Sequence, residues 1–327
     1  MTSSLPVPKR RPPPSLTLVV PCYNEEEVLP ELLRRLAELT ASLVAEGLVR
    51  GTPEVMLVDD GSRDATWSLI AAAAERGEGV TGVRLSRNHG HQRALLAGLM
   101  TAKADVLISL DADLQDDISV IPAMIRAWME GAEIVYGVRG SRDVDTMFKR
   151  ATARMYYKLL RSMGADVVSD HADFRLMGRK AVEALRQYSE SNLFLRGLIP
   201  QLGYRTATVT YARGERFAGV TKYPFGRMIA LAVEGITSFS TVPLRVVTWA
   251  GVIIAAVSFA YVCYAVFARL IGIAIPGWAS IVVPIYLLGG IQLIAIGIIG
   301  EYLGKVYLES KRRPRFLIDE IVGGVDQ

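Results

Sequence analysis

Two long uncharged runs near the C-terminus restrict the fold of this chain more than any other feature. VVTWAGVIIAAVSFAYVCYAVFA (246–268) contains no charge, and IVVPIYLLGGIQLIAIGIIGEYL (281–303) contains only Glu301, near its end. A helix needs roughly 20 apolar residues to cross the hydrocarbon core of a bilayer. Lipid offers backbone groups no hydrogen-bond partner, so such runs must satisfy themselves as helices. A helical hairpin buried in a soluble core is the competing reading, but two uncharged runs of this length are rare there. The sequence therefore predicts a two-helix transmembrane hairpin over 246–304.

Charge sets its orientation. Arg245 precedes the first run, Lys305, Lys311, Arg312, Arg313 and Arg315 follow the second, and the intervening RLIGIAIPGWAS holds only Arg269. The positive-inside rule places the N-terminal region and both termini in the cytoplasm, on a multi-pass protein of the plasma (inner) membrane. The net charge of +4 is partly this collar, which suits anionic lipid headgroups. No nucleic-acid-binding motif is present, and nucleic acid is excluded as a partner. The N-terminal MTSSLPVPKRRPPPS has basic residues but no apolar stretch, so it is no signal peptide, and 1–14 reads as a disordered tail. Cys22 and Cys263 are far apart and unsuited to a structural disulfide.

Residues 15–225 read differently. SLTLVVPCYN, EVMLVDDGS, VTGVRLSRN and ADVLISLDAD read as strands. They alternate with the helices EEEVLPELLRRLAELTASLVAEG, RDATWSLIAAAAERG and HQRALLAGLMTAK, the first carrying an acidic first turn that the helix dipole favours. This βαβα order predicts an α/β, Rossmann-like, mostly parallel sheet. Residues 226–245 form a juxtamembrane amphipathic segment, lying on the membrane surface or packed against the preceding domain. Residues 305–327 read as a basic cytoplasmic tail.

Ligands of such sheets bind beyond the carboxyl ends of the strands. The clusters PCYNEE, DDGSRD, SRNHGHQ and DADLQDD all fall there, and no G-x-G-x-x-G or Walker A pattern accompanies them. Asp111 and Asp113 flank Ala112, and alternate residues of an extended segment point the same way. The pair can share a hard divalent ion, Mg²⁺ or Mn²⁺, together with substrate phosphates. Asp116 and Asp117 either join them or cap the following helix. Asp59 and Asp60 can accept hydrogen bonds from a base N–H or a ribose hydroxyl, or simply form a turn. Glu25 can do similar work or start a helix. His89, His91 and His171 lack metal-ligand spacing and read as polar contacts.

Seven stretches in order resemble the family 2 glycosyltransferases of the GT-A fold: VVPCYNEE (19–26), VDDGSRDAT (58–66), LSRNHGHQRALLAG (85–98), DADLQDD (111–117), VYGVRGSR (135–142), DFRLM (173–177) and RFAGVTKYPF (216–225). The paired runs ending in IGEYLGKVYLESKRRP add a narrower resemblance to polyprenyl-phosphate glycosyltransferases, the group of bactoprenol glucosyltransferase and, more distantly, dolichyl-phosphate mannose synthase. The chain departs from the family pattern at Asp117-Ile118-Ser119, where the family often has PPE, at His89, where Phe is common, and at Ala172, where Gly is common.

The resemblance implies transfer of a sugar from a nucleotide-diphosphate sugar, a UDP-sugar with glucose the leading choice, to polyprenyl (undecaprenyl) phosphate at the cytoplasmic membrane face. It implies that Pro21, Tyr23, Glu25, Asp59 and Asp60 hold the nucleoside, that Asp111 and Asp113 hold the metal on the diphosphate, and that Ala112 and Gln115 lie against that site. A phosphate monoester acceptor is already anionic and needs no strong general base. It needs cations that tolerate two anionic substrates together, and arginine suits bidentate phosphate contact. Arg139, Arg142, Arg175, Arg213, Arg216 and Lys222 are the candidates, with Tyr223 beside the last. Asp173 would position the metal or the sugar. A one-step displacement inverts the anomeric centre. A processive polysaccharide synthase would need more spans and a Q-x-x-R-W-type motif. A non-catalytic nucleotide-sugar binder would not need the aspartate pair. A homo-oligomer is compatible with this architecture.

Overall fold

The computed structural model describes residues 10–77, 79–140, 171–190, 195–211, 242–271 and 277–324. The chain divides into two compact units. One comprises 1–157, 166–222 and 313–327, and the other 158–165 and 223–312.

The first unit holds an eight-stranded sheet. Its strands are β1 (Leu16–Cys22), β2 (Glu54–Asp59), β3 (Val80–Leu85), β4 (Val106–Ser109), β5 (Ile134–Arg139), β6 (His171–Gly178), β7 (Thr206–Tyr211) and β8 (Ile318–Gly323), in the order β7-β5-β6-β4-β1-β2-β3-β8. β1 pairs parallel with both β2 and β4, β2 with β3, and β5 with β7. β6 runs antiparallel to β4 and β5, and β8 antiparallel to β3. The helices are α1 (Leu29–Ala45), α2 (Thr66–Glu75), α3 (His91–Thr101), α4 (Ile121–Met129), α5 (Arg179–Arg186) and α6 (Leu195–Gln201). The α/β, GT-A-like reading of the sequence holds.

The central strands are apolar on both faces because both faces are covered. Leu18 and Val20 point into a core shared with Leu32 and Leu36 of α1, Ile70 of α2 and Ile125 of α4. Val19 between them points into a second core with Leu95 and Leu99 of α3, Val182 of α5 and Ile199 of α6. Gly98 lets α3 approach the sheet, since a Cβ there would collide with Val19 and lie 2.9 Å from Val58 Cγ2.

Three boundaries differ from the sequence reading. α1 begins at Leu29, with Pro30 in its first turn, rather than at Glu25. The EEE stretch is a turn whose amides are taken elsewhere, Glu25 N–H donating to Thr66 Oγ1 and Glu26 N–H to Asp64 Oδ2. Second, the end of the N-terminal segment is anchored. Arg11 stacks over Trp128 at 4.6 Å and pairs with Glu133 at 2.9 Å, and Pro14 O accepts from Arg50 N–H. Third, 305–327 is not simply a tail. Residues 305–310 continue a helix and Ile318–Gly323 is the edge strand β8. Leu317 O accepts from Ser86 N–H, Arg315 donates to Tyr188 O at 2.6 Å, and Phe316 packs on the second core.

The described part of the second unit is two helices in contact, α7 (Val242–Leu270) and α8 (Trp278–Ser310). Both are long and apolar enough to cross a membrane. Their surfaces carry Val246, Trp249, Phe259, Leu270, Leu293 and Ile296 largely exposed, a coat that water does not favour. Residues 242–245 belong to α7, and the rest of the expected juxtamembrane segment lies outside the described residues.

Candidate active site

Four loops meet beyond the carboxyl ends of β1 to β4. The first two are laced together. Asn24, at φ 54°, donates its N–H to Ser62 Oγ and accepts from Arg63 N–H, while Glu26 accepts from Ala65 N–H. The loop after β2 lies directly on the loop after β3. Gly61 sits at φ +68°, and a Cβ on it would lie 2.6 Å from Arg87 C and 2.7 Å from Asn88 N. Pro21 is buried within β1, and Tyr23 just beyond it is exposed.

Asp60 has a structural task. Its two carboxylate oxygens accept the N–H groups of His89 (2.7 Å) and Gly90 (2.8 Å), tying β2 to the start of α3. Burial raises its pKa, and the two amides pull it back only in part. Asp59 is fully buried. Oδ1 accepts from Ser62 N–H, as the turn reading expects, whereas Oδ2 has no hydrogen bond among the described residues and lies 4.0 Å from Arg84 Nε. Thiolate chemistry is excluded at Cys22, because burial pushes its thiol far above the ordinary range.

At the end of β4 the carboxylates gather. Asp111 Oδ1 is buried without a hydrogen bond among the described residues. Burial pushes its pKa up to about 6, and Asp173, Asp116 and Asp113 add to the rise against the pull of His91. Asp113 accepts from Gln115 N–H, Leu114 between them is held at φ 58°, and Ala112, Gln115 and Asp116 are buried. Asp117 caps the next turn through Ser119 N–H.

Asp173, on β6, comes within reach of this group. His91 Nε2 lies 3.4 Å from both Asp111 Oδ1 and Asp173 Oδ2. Arg175 pairs with Asp173 Oδ1, and Arg196 donates through Nη2 to Oδ2 (3.0 Å) and through Nε to Oδ1 (3.3 Å). Burial works to raise the Asp173 pKa, but His91 and the two guanidiniums outweigh it and hold the carboxyl far below the usual range. His91 is raised in turn, its two carboxylate neighbours overcoming burial.

Two sequence expectations are revised here. Arg175, expected as a phosphate contact, is 1% exposed and is the internal counter-ion of Asp173. His91 is more than a generic polar contact, because it bridges two site carboxylates. Arg196, in SNLFLRG, is absent from the sequence-based set. Nothing local marks it, since its partner lies 23 residues away on β6. The side chain of Arg139 and residues Arg142, Arg213, Arg216, Lys222 and Tyr223 lie outside the described residues.

The ligand atoms of His91, Asp111 and Asp173 lie within 4.8 Å of one another. Asp173 is already engaged by His91, Arg175 and Arg196, which a metal would have to displace. Asp111 Oδ1, next to Asp113, is the better fit for a hard cation, because it accepts no hydrogen bond among the described residues and faces only His91 at 3.4 Å.

The mostly parallel α/β sheet with carboxylates gathered at the end of its fourth strand is GT-A-like. Residues 17–186 match the family described as "Glycosyl transferase family 2", and the chain belongs to it. It is 50% identical over 308 residues to "Uncharacterized glycosyltransferase YkoT" of Bacillus subtilis (strain 168), covering 94% of this chain and 91% of that one. It is 41% identical over 305 residues to the "Bactoprenol glucosyl transferase" of Shigella phage SfV, covering 93% and 97%. Among solved structures, glucosyl-3-phosphoglycerate synthase from Mycobacterium tuberculosis, in complex with Mn²⁺, UDP and glucosyl-3-phosphoglycerate, aligns at TM-score 0.44 and 19% identity, covering 68% of this chain and 78% of that chain.

Proposed function

We propose that this enzyme transfers a hexose, with glucose the leading choice, from a UDP-sugar to undecaprenyl phosphate at the cytoplasmic face of the membrane, inverting the anomeric centre. The observation that carries the reading is the gathering of carboxylates at the carboxyl end of a parallel strand, where the buried Oδ1 of Asp111, beside Asp113, has no hydrogen bond among the described residues and only His91 Nε2 at 3.4 Å for a neighbour of opposite character. Asp111 and Asp113 would hold Mg²⁺ or Mn²⁺, which supplies neutralisation of charge on the leaving diphosphate. Full-length similarity to a protein named for bactoprenol glucosyl transfer supports the acceptor.

The acceptor's phosphate oxygen attacks the anomeric carbon. The bond to the donor diphosphate breaks, and its electron pair leaves with the nucleotide. No proton need move, which agrees with an Asp173 whose lone pairs and charge are committed to His91, Arg175 and Arg196. Asp173 therefore orients these side chains instead of acting as a base. Asp59 and Tyr23 border the nucleoside, and Arg139, Arg142, Arg216 and Lys222 are proposed phosphate contacts. α7 and α8 span the membrane with both ends cytoplasmic.

The test is an assay of lipid extracts. Purified full-length protein is mixed with undecaprenyl phosphate, Mg²⁺ or Mn²⁺ and a panel of nucleotide sugars, and mass spectrometry follows the lipid. A polyprenyl-phosphate hexose from UDP-glucose, lost with EDTA and with Asp113→Ala, is the expected result. No lipid product from any donor overturns the reading.

A further inference from the structure

The loop 111–117 needs an external support. Leu114 occupies the left-handed region at φ 58°, which a branched side chain adopts only when its surroundings hold it there. Gln115 and Asp116 follow it into the interior, so the loop's second half is inserted rather than draped over the surface.

The support comes from the far side of the sheet. Tyr211 ends β7, the strand at the opposite edge from β8 and separated from β4 by β5 and β6. Its phenol donates to Asp116 Oδ1 at 2.6 Å, and its ring meets Phe174 edge-on at 5.4 Å between centroids. Phe174 is the neighbour of Asp173 in β6. Gly137 on the intervening β5 makes room, since a Cβ there would lie 2.6 Å from Phe174 and 3.2 Å from Tyr211. One buried aromatic thus contacts the loop bearing Asp111 and Asp113 through its hydroxyl, and the strand bearing Asp173 through its ring. In the chain it directly precedes the stretch with Arg213, Arg216 and Lys222.

We infer that Tyr211 is a positioning residue for the metal-binding loop: its hydrogen bond to Asp116 fixes the backbone that aims Asp111 and Asp113 at the divalent ion. The inference rests on the metal reading proposed above and adds to it a residue outside every quoted motif. A donor locked by packing preorganises the groups attached to its acceptor, and here that acceptor lies three residues beyond Asp113.

The test reads Mn²⁺ binding directly, by the electron paramagnetic resonance signal of free Mn²⁺, with full-length protein in detergent and UDP present. Tyr211→Phe keeps the ring on Phe174 and removes only the hydroxyl. Mn²⁺ binding should weaken roughly fivefold, the range of one net hydrogen bond, while UDP binding without metal stays unchanged. Asp116→Ala should also weaken it, and the double variant should lose no more than the worse single variant. Val209→Ala, on the same strand and packed in the same core, is the structural control. It should lower the melting temperature and leave Mn²⁺ affinity alone. Wild-type affinity in Tyr211→Phe, independent losses in the double variant, or equal weakening by Val209→Ala would overturn the inference. If the wild-type protein itself holds no Mn²⁺, the metal reading fails and this inference with it. Failure in the variants alone leaves that reading standing.

Discussion

Replacing Asp111 by asparagine should make the metal-free protein more stable at neutral pH. The reason lies in the direction of its shift. Burial raises the folded-state pKa from an ordinary value of 3.8 to about 6. A carboxyl that binds its proton more tightly when folded is destabilising once ionised. The penalty begins as pH rises through the unfolded value, grows up to the folded value and is constant above it. The full shift would amount to about 3 kcal/mol at about 1.4 kcal/mol per pH unit. The side chain is 29% exposed, and solvent screening reduces this to roughly 1–2 kcal/mol. Asp111→Asn keeps the shape and removes the charge. Thermal or urea unfolding in detergent with EDTA should show the variant ahead by that amount at pH 7.5, and the gap should close between pH 6 and 4 as the wild-type carboxyl protonates. Adding Mn²⁺ and UDP should reverse the order, since a ligand at a hundred times its dissociation constant stabilises by about 2.7 kcal/mol and only wild type has the site. A less stable metal-free variant at pH 7.5, a gap independent of pH, or equal Mn²⁺ stabilisation of both proteins would refute the reasoning.

Gly98→Ala should destabilise the first unit by roughly 1–3 kcal/mol, because the added Cβ meets Val19 and Val58 across a close-packed helix–sheet contact; chemical denaturation checks it. Arg196→Gln should reduce turnover about tenfold or more and cost roughly 1.5–3 kcal/mol of stability, since it removes charged hydrogen bonds from a 3%-exposed carboxylate. Unchanged turnover would show that Asp173 needs only Arg175 and His91. Asp173 is depressed when folded, so its contribution to stability is complete above the unfolded value near 4 and is lost as pH falls below it. The wild-type advantage over Asp173→Asn should therefore shrink on acidification, the reverse of the Asp111 case.

The sequence shows what is periodic or local. Apolar strands with helices between them disclose the doubly wound sheet, because burial on both faces leaves no alternation to mislead. The position of Asp111 and Asp113 is legible because strand ends are. Less legible is whatever depends on partners distant in the chain. Whether Asp60 faces a ligand or ties two loops together is decided by the amides of His89 and Gly90, 29 and 30 residues later. Arg175 looks like a phosphate contact although its counter-ion Asp173 is only two residues away, because what buries it is the place of β6 between β4 and β5, strands distant in the chain. The EEE stretch has the composition of a helix start, yet Thr66 and Asp64 compete for its amides and Pro30 begins the helix further on. β8 is masked by the basic run before it.

That last strand bears on the proposed membrane arrangement in a way charge counting does not. β8 follows α8 in the chain, but its backbone pairs antiparallel with β3, from Thr81↔Gly323 to Leu85↔Ile318. Strands of one sheet lie on one side of a bilayer, because no open sheet edge crosses hydrocarbon. If the chain between β7 and β8 crosses a membrane as proposed, it does so an even number of times. Two helices of sufficient length satisfy that condition, and one or three would not. The cationic residues at Arg245 and after Glu301 reach the same answer from a different force. Register pairing and charge bias are independent grounds for the proposed hairpin, in which the carboxylate site and the proposed acceptor's phosphate would share one side of the membrane.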